Sequence, residues 1–207
     1  MQKSKLIIPF YTQERWQNWI NQVKESGFKL EDQEKGAIFV YMTDDIVLAC
    51  LKVIAKYDKK LISMEDALRH VADIKEIALK KIDTISEDID IMFESTQSSL
   101  IGVFASCECY LNNGYEQQQS AAQKTKSCGK LIKTAVKAEK EDNMGIALGT
   151  IAEIGANVIN GAKLKDKDSD NVPEGFVAEW LDGIDSIMAA MIGDTSYKDD
   201  EPDDGNL

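Results

Sequence analysis

The stretch MGIALGTIAEIGANVINGAKLK, residues 144–165, decides how the chain is read. It is nearly apolar, rich in glycine and alanine, and interrupted within its apolar part by one carboxylate, Glu153. Three physical states compete for such a segment. A phosphate-cradling loop needs GxxxxGK[ST] or GxGxxG, and neither is present. A membrane span takes about 20 apolar residues, and Glu153, Asn157 and Asn160 make that costly. No second span exists to pair with it. The third state is a helix packed closely by other helices. Gly145, Gly149, Ala152, Gly155 and Ala156 recur at three- and four-residue spacing. Each glycine costs about 1 kcal/mol of helix propensity against alanine, and close approach of a second backbone offsets that loss. Ile146, Leu148, Ile151, Ile154, Val158 and Ile159 surround the small residues, so the segment is expected to be the central, buried helix. Glu153 and Asn157, one turn apart, are then expected at a helix junction or a dimer interface.

Working outward, the other segments also carry helical periodicity. Thr12 is a candidate N-cap for a helix to about Glu25, with Trp16, Trp19, Ile20 and Val23 on one face and Gly27 at its end. AIFVYM, residues 37–42, has strand propensity. However, Ile46, Val47, Cys50, Leu51 and Ile54 continue a helical stripe, which favours a helix from about Lys35 or Thr43 to Tyr57. Ser63 and Ser86 cap two more helices. LNNGY, residues 111–115, is a turn signal. Helices are expected over about 116–141, 143–163 and 174–192. The sum is an all-α bundle of six to seven helices forming one domain over residues 1–193, followed by a disordered acidic tail over 194–207.

Two rows of charge set an expected register. Lys126, Lys130, Lys133, Lys137 and Lys140 step by four, three, four and three, which places them on one helical face. Asp83, Glu87, Asp90 and Glu94 step the same way on the preceding segment. An antiparallel hairpin of residues 86–111 and 116–141, central to the bundle, would bring Glu94 beside Lys133. The lysine row can also be a solvated face, a dock for an acidic protein partner, or a phosphate site.

Chemistry is sparse. Four cysteines occur, at 50, 107, 109 and 128. No CxxC pair exists, and the CxC of Cys107 and Cys109 points its thiols about 200° apart on a helix, so no metal is expected. His70 is the sole histidine. It has no GxSxG motif beside it and no glutamate three residues before it, which argues for a partly buried structural role. Glu31 with Glu34, Asp73 with Glu76, and Glu87 with Asp90 have spacings that could hold Mg²⁺, but they are scattered. They support only the alternative reading of a metal-dependent all-α nucleotide hydrolase. No cofactor is expected.

The net charge of −12 argues against nucleic acid as a partner. The absence of a signal peptide pattern at the N-terminus points to the cytoplasm with reduced thiols. Aromatic residues crowd that N-terminus. Phe10, Trp16 and Trp19 either fill the chain's own core or anchor a second molecule. The stretches FYTQERWQNWINQV (10–23), TDDIVLACLKVIAKY (43–57) and SMEDALRHVADIKEIAL (63–79) resemble an uncharacterised archaeal family of small acidic proteins found in methanogens and their relatives. The resemblance implies an archaeal cytoplasmic protein and supplies no site residues. The expected function is a non-enzymatic helical interaction or scaffold protein, acting by self-association or by docking in a larger complex.

Overall fold

The computed structural model describes residues 9–32, 34–113, 121–193 and 196–198. Among these, seven helices of three or more turns make an all-α bundle: α1 (Gln13–Ser26), α2 (Ala37–Asp58), α3 (Met64–Ala78), α4 (Glu87–Asn112), α5 (Ala121–Lys140), α6 (Met144–Ile159) and α8 (Phe176–Gly193). A single helical turn, α7 (Asp166–Ser169), and a 3-10 turn, Ser196–Lys198, complete the order. The segment AIFVYM lies in α2 and is helical, so tertiary packing of the Ile46–Val47–Cys50–Ile54 stripe prevails over local β propensity.

The helix starts follow side-chain chemistry. The Thr12 Oγ1 accepts from the Arg15 amide at 3.1 Å, Ser63 Oγ from the Asp66 amide at 3.1 Å, and Ser86 Oγ from the Ile89 amide at 3.4 Å. Each satisfies one of the orphan donors of a first turn. Two helix ends are satisfied from far along the chain. Glu139 of α5 accepts from the Val177 amide at the start of α8, at 3.3 Å. Gln97 of α4 donates to the carbonyls of Ala78 and Lys80 at the end of α3, at 2.9 and 3.1 Å.

The core is built around α4, α6 and α8. Glycine lets these three backbones approach more closely than any side chain allows. A methyl group added at Gly155 of α6 would lie 1.9 Å from Ser106 Oγ of α4 and 2.6 Å from Ile184 Cδ1 of α8. One at Gly183 of α8 would lie 2.3 Å from the Ser99 carbonyl oxygen of α4, and one at Gly102 of α4 would lie 2.7 Å from the Trp180 carbonyl oxygen of α8. Ser106, fully buried there, turns its hydroxyl back to the Gly102 carbonyl oxygen at 2.6 Å and so arrives without an unsatisfied polar atom. Leu100, Val103, Phe104, Ile151, Ile154 and Ile184 fill the space around these contacts and are fully buried.

The antiparallel hairpin expected between α4 and α5 is not formed. α6 lies between them and packs extensively along both, while α4 and α5 barely touch. Glu94 and Lys133 make no ion pair. The physical reason is the relative size of the two effects. Exposed charge pairs contribute about 0–1 kcal/mol each, whereas burying one isoleucine contributes about 1.5–3 kcal/mol, and α6 carries several. The hairpin is instead α5–α6, joined by the three-residue link 141–143. Asp142 takes the left-handed conformation there, φ 56°, and the Asn143 amide closes on the Ala138 carbonyl at 2.8 Å.

Part of the segment assigned to a disordered tail is ordered. Tyr197, in the 3-10 turn Ser196–Lys198, is buried against α2, and the Lys59 ammonium donates to the Lys198 carbonyl. Burial of one aromatic ring is enough to hold a single turn. Residues 194–195 and 199–207 of the expected tail lie outside the described residues.

Two substitutions separate the packed glycine from the open ones. Gly155→Ala is expected to destabilise the fold by about 1–3 kcal/mol through overpacking. Gly149→Ala, whose new methyl group meets nothing within 4 Å, should stabilise by up to about 1 kcal/mol. Urea unfolding of both variants checks the pair; equal effects would contradict the packing described.

Candidate interaction surface

α6 has two unlike sides. The side at Gly155 meets α4 and α8, and Ala152, Ala156 and Asn157 are also buried. Gly145, Gly149 and Glu153 lie on the exposed side, and nothing within 4 Å would meet a methyl group at either glycine. The small residues read from the sequence as one packing stripe therefore divide, and so do Glu153 and Asn157. From Gly149 to Gly155 a helix turns 600°, which leaves the two glycines about 120° apart. The contacts to Gly155 come from Ser106 of α4 and Ile184 of α8. Ser106 is one of several serines of α4 and Ile184 one of several apolar residues of α8, so nothing in the sequence singles them out.

The lysine row is on the solvent face of α5. Lys130, Lys133, Lys137 and Lys140 are exposed, while Cys128, Ile132, Ala135 and Ala138 on the opposite face are buried. Within the row, Lys137 pairs with Glu141 at 3.7 Å, one turn on. Lys130, Lys133 and Lys140 have no ion-pair partner among the described residues. The backbone of Lys126 belongs to α5, but its side chain lies outside the described ones.

The N-terminal aromatic residues face their own chain. Trp16 is 1 % exposed and packs edge-on against Phe93 of α4, with ring centroids 6.1 Å apart. Phe10 lies edge-on to His70 of α3 at 4.8 Å, with the Lys56 ammonium of α2 5.3 Å from its ring centroid. Trp19 Nε1 donates to Asp45 Oδ2 at 2.7 Å, and the Arg15 guanidinium grips the same carboxylate, Nε to both oxygens at 3.0–3.1 Å. These side chains clamp α1 and residue 10 onto α2 and α3. Trp16, expected among the partner-binding residues, fills the chain's own core instead, while Phe10 and Trp19 are half-buried beside it. Leu6, Ile7 and Ile8 of the same arm lie outside the described residues. Tyr11 is also buried, and burial followed by the Asp45 charge pushes its ionisation far above the ordinary phenol range.

The titratable groups do not gather. Cys50 of α2 and Cys107 of α4 are fully buried against each other, and their mutual hydrogen bond and burial raise the Cys50 thiol well above its ordinary value. Cys128 is pushed up to about 11, by burial first. Cys109 is raised by burial and then by the Glu153 charge. Thiols so protonated are poor nucleophiles and poor ligands. Asp73 and Glu76 line an open hollow of about 370 Å³ with Gln13, Ile77 and Lys80, and no third carboxylate joins them among the described residues. Among the described residues no three His, Cys, Asp or Glu side chains come together as metal ligands would. Among the same residues no helix is long and apolar enough to cross a membrane.

This architecture places the chain in a class: an all-α bundle whose distinguishing surface is a row of lysines on an acidic molecule. The chain belongs to the archaeal family described as "Uncharacterized protein conserved in archaea (DUF2150)", whose family model matches residues 9–200. No curated protein and no solved structure matches it.

His70 carries a pH dependence with a definite sign. Burial lowers its pKa below the ordinary histidine value, against the opposing pull of Asp73, whose Oδ2 lies 4.0 Å from Nδ1. Arg69 and Lys56 lower it further and Asp66 raises it. A histidine depressed on folding binds its proton more readily when unfolded, so the folded state loses stability as pH falls through about 6.5. His70→Gln is expected to flatten the decline in melting temperature between about pH 7 and pH 5. Parallel declines in wild type and variant would refute the assignment.

Proposed function

We propose that this chain is a non-enzymatic helical interaction protein of the cytoplasm that docks an acidic protein surface through Lys130, Lys133, Lys137 and Lys140. One observation carries the reading: four ammonium groups stand exposed on one face of α5, with a single ion pair among the described residues, on a chain of net charge −12. The row spans about 15 Å at 1.5 Å per residue. Beyond a Debye length of about 8 Å the row is screened, and the net negative charge repels polyanions. That combination disfavours capture of a nucleic acid, which depends on a long-range positive field. It favours a protein surface with carboxylates spaced to meet the row at contact, where the charges fix register and orientation.

The test compares assembly size in an extract of archaeal cells carrying the tagged chain. Wild type is expected to elute with a larger assembly. The variant with Lys130, Lys133, Lys137 and Lys140 all changed to Glu should lose about tenfold or more of the assembled fraction, since each contact pair contributes about 0.2–1 kcal/mol and reversal adds repulsion. Circular dichroism confirms that the variant is folded. An unchanged elution profile would overturn the reading.

A further inference from the structure

α4 carries the complement of the lysine row. Glu87 and Glu94 are exposed on its solvent face, with the half-buried Asp90 between them and Ile91, 46 % exposed, beside them. Asp83 stands exposed just before the helix. Asp90 Oδ1 accepts from the Ile85 amide at 3.0 Å, which leaves its second oxygen unoccupied by that bond. Asp83, Glu87 and Glu94 have no ion-pair partner among the described residues.

The two rows match in spacing. Glu87, Asp90 and Glu94 step by three and four; Lys140, Lys137 and Lys133 step by three and four in the opposite sense. Two antiparallel helices therefore bring Glu87 to Lys140, Asp90 to Lys137 and Glu94 to Lys133 in one register. Within a chain this contact is blocked, because α6 holds α4 and α5 apart. Both rows face outward and are open to another molecule.

We infer that the acidic surface met by the lysine row is the Glu87–Asp90–Glu94 row on α4 of a second copy of this chain. The inference rests on the docking role proposed for the lysines and names its partner. The contact is heterologous, since different surfaces of the two copies meet. In a pair, one copy keeps its acidic row free and the other its lysine row, so the contact can repeat. Charge alone makes such a contact weak and salt-sensitive, and the exposed Ile91 adds apolar surface beside the acidic row.

Two double variants of the purified full-length chain test this. Glu87→Lys with Glu94→Lys makes both rows basic. Lys133→Glu with Lys137→Glu places like charges opposite Glu94 and Asp90 and leaves only Lys140 to meet Glu87. By sedimentation equilibrium at low salt, wild type is expected to rise toward twofold the mass of one chain, or beyond, with increasing concentration. Each variant alone should remain at the mass of one chain. Their equimolar mixture should associate again, because the unaltered lysine row of the first variant then meets the unaltered Glu87–Asp90–Glu94 row of the second. Salt of about 0.5 M, where the Debye length falls below about 5 Å, should dissociate both wild type and mixture. Circular dichroism checks that each variant is helical. Wild type at the mass of one chain throughout, or a mixture that fails to associate, would overturn the self-docking. If an assembly in cell extract still depended on the lysines, the docking role would stand with a foreign acidic partner instead. Loss of both results would remove the docking role as well.

Discussion

The close approach of α4, α6 and α8 is the constraint on which the rest of the bundle depends. At Gly155, Gly183 and Gly102 the helices meet with backbone or short side chains where a methyl group would collide. That approach places α6 against α4, and α5 follows because a three-residue link ties it to α6. α5 is thereby displaced to the far side of α6 from α4, with its apolar positions turned inward and its lysines outward. The separation of the two charge rows is thus a consequence of steric packing in the core. It also makes the rows available to other molecules.

The second half of the core is held differently. α1 is fastened to α2 by the Arg15–Asp45–Trp19 cluster, and residue 10 is fastened to α3 by the Phe10–His70 contact. Asp45 is a nearly buried carboxylate, stable there because a guanidinium and an indole N–H satisfy it. Such a cluster fixes one docking angle for α1, since loss of one partner would leave a charge without compensation. The aromatic residues that stand out in the N-terminal sequence are explained by this clamp.

Much of the fold was legible in the sequence because it rests on local signals. Thr12, Ser63 and Ser86 announce helix starts by their own chemistry, and Gly27 marks an end with φ 60°. Apolar stripes at helical spacing located the rest. The neighbour relations were not legible. Spacing of charges shows which residues share a face, but it does not say whether the matching face belongs to the same chain. Likewise Gly145, Gly149 and Gly155 look alike in sequence, although only the last is closely packed, because its partners Ser106 on α4 and Ile184 on α8 are distant in the chain. For the candidate surface, the lysine row was visible from periodicity. Its exposure, with Lys137 alone ion-paired among the described members of the row, required the position of α6.

The central claim, that packing of α4, α6 and α8 governs the bundle, is tested most directly by native-state hydrogen exchange followed residue by residue. The account expects amides within residues 102–107, 151–158 and 183–187 to exchange last and with a common free energy equal to that of global unfolding. Amides of α1 should open earlier, at lower free energy. Slowest exchange confined to α2 and α3, with α6 opening early and separately from α4 and α8, would contradict it.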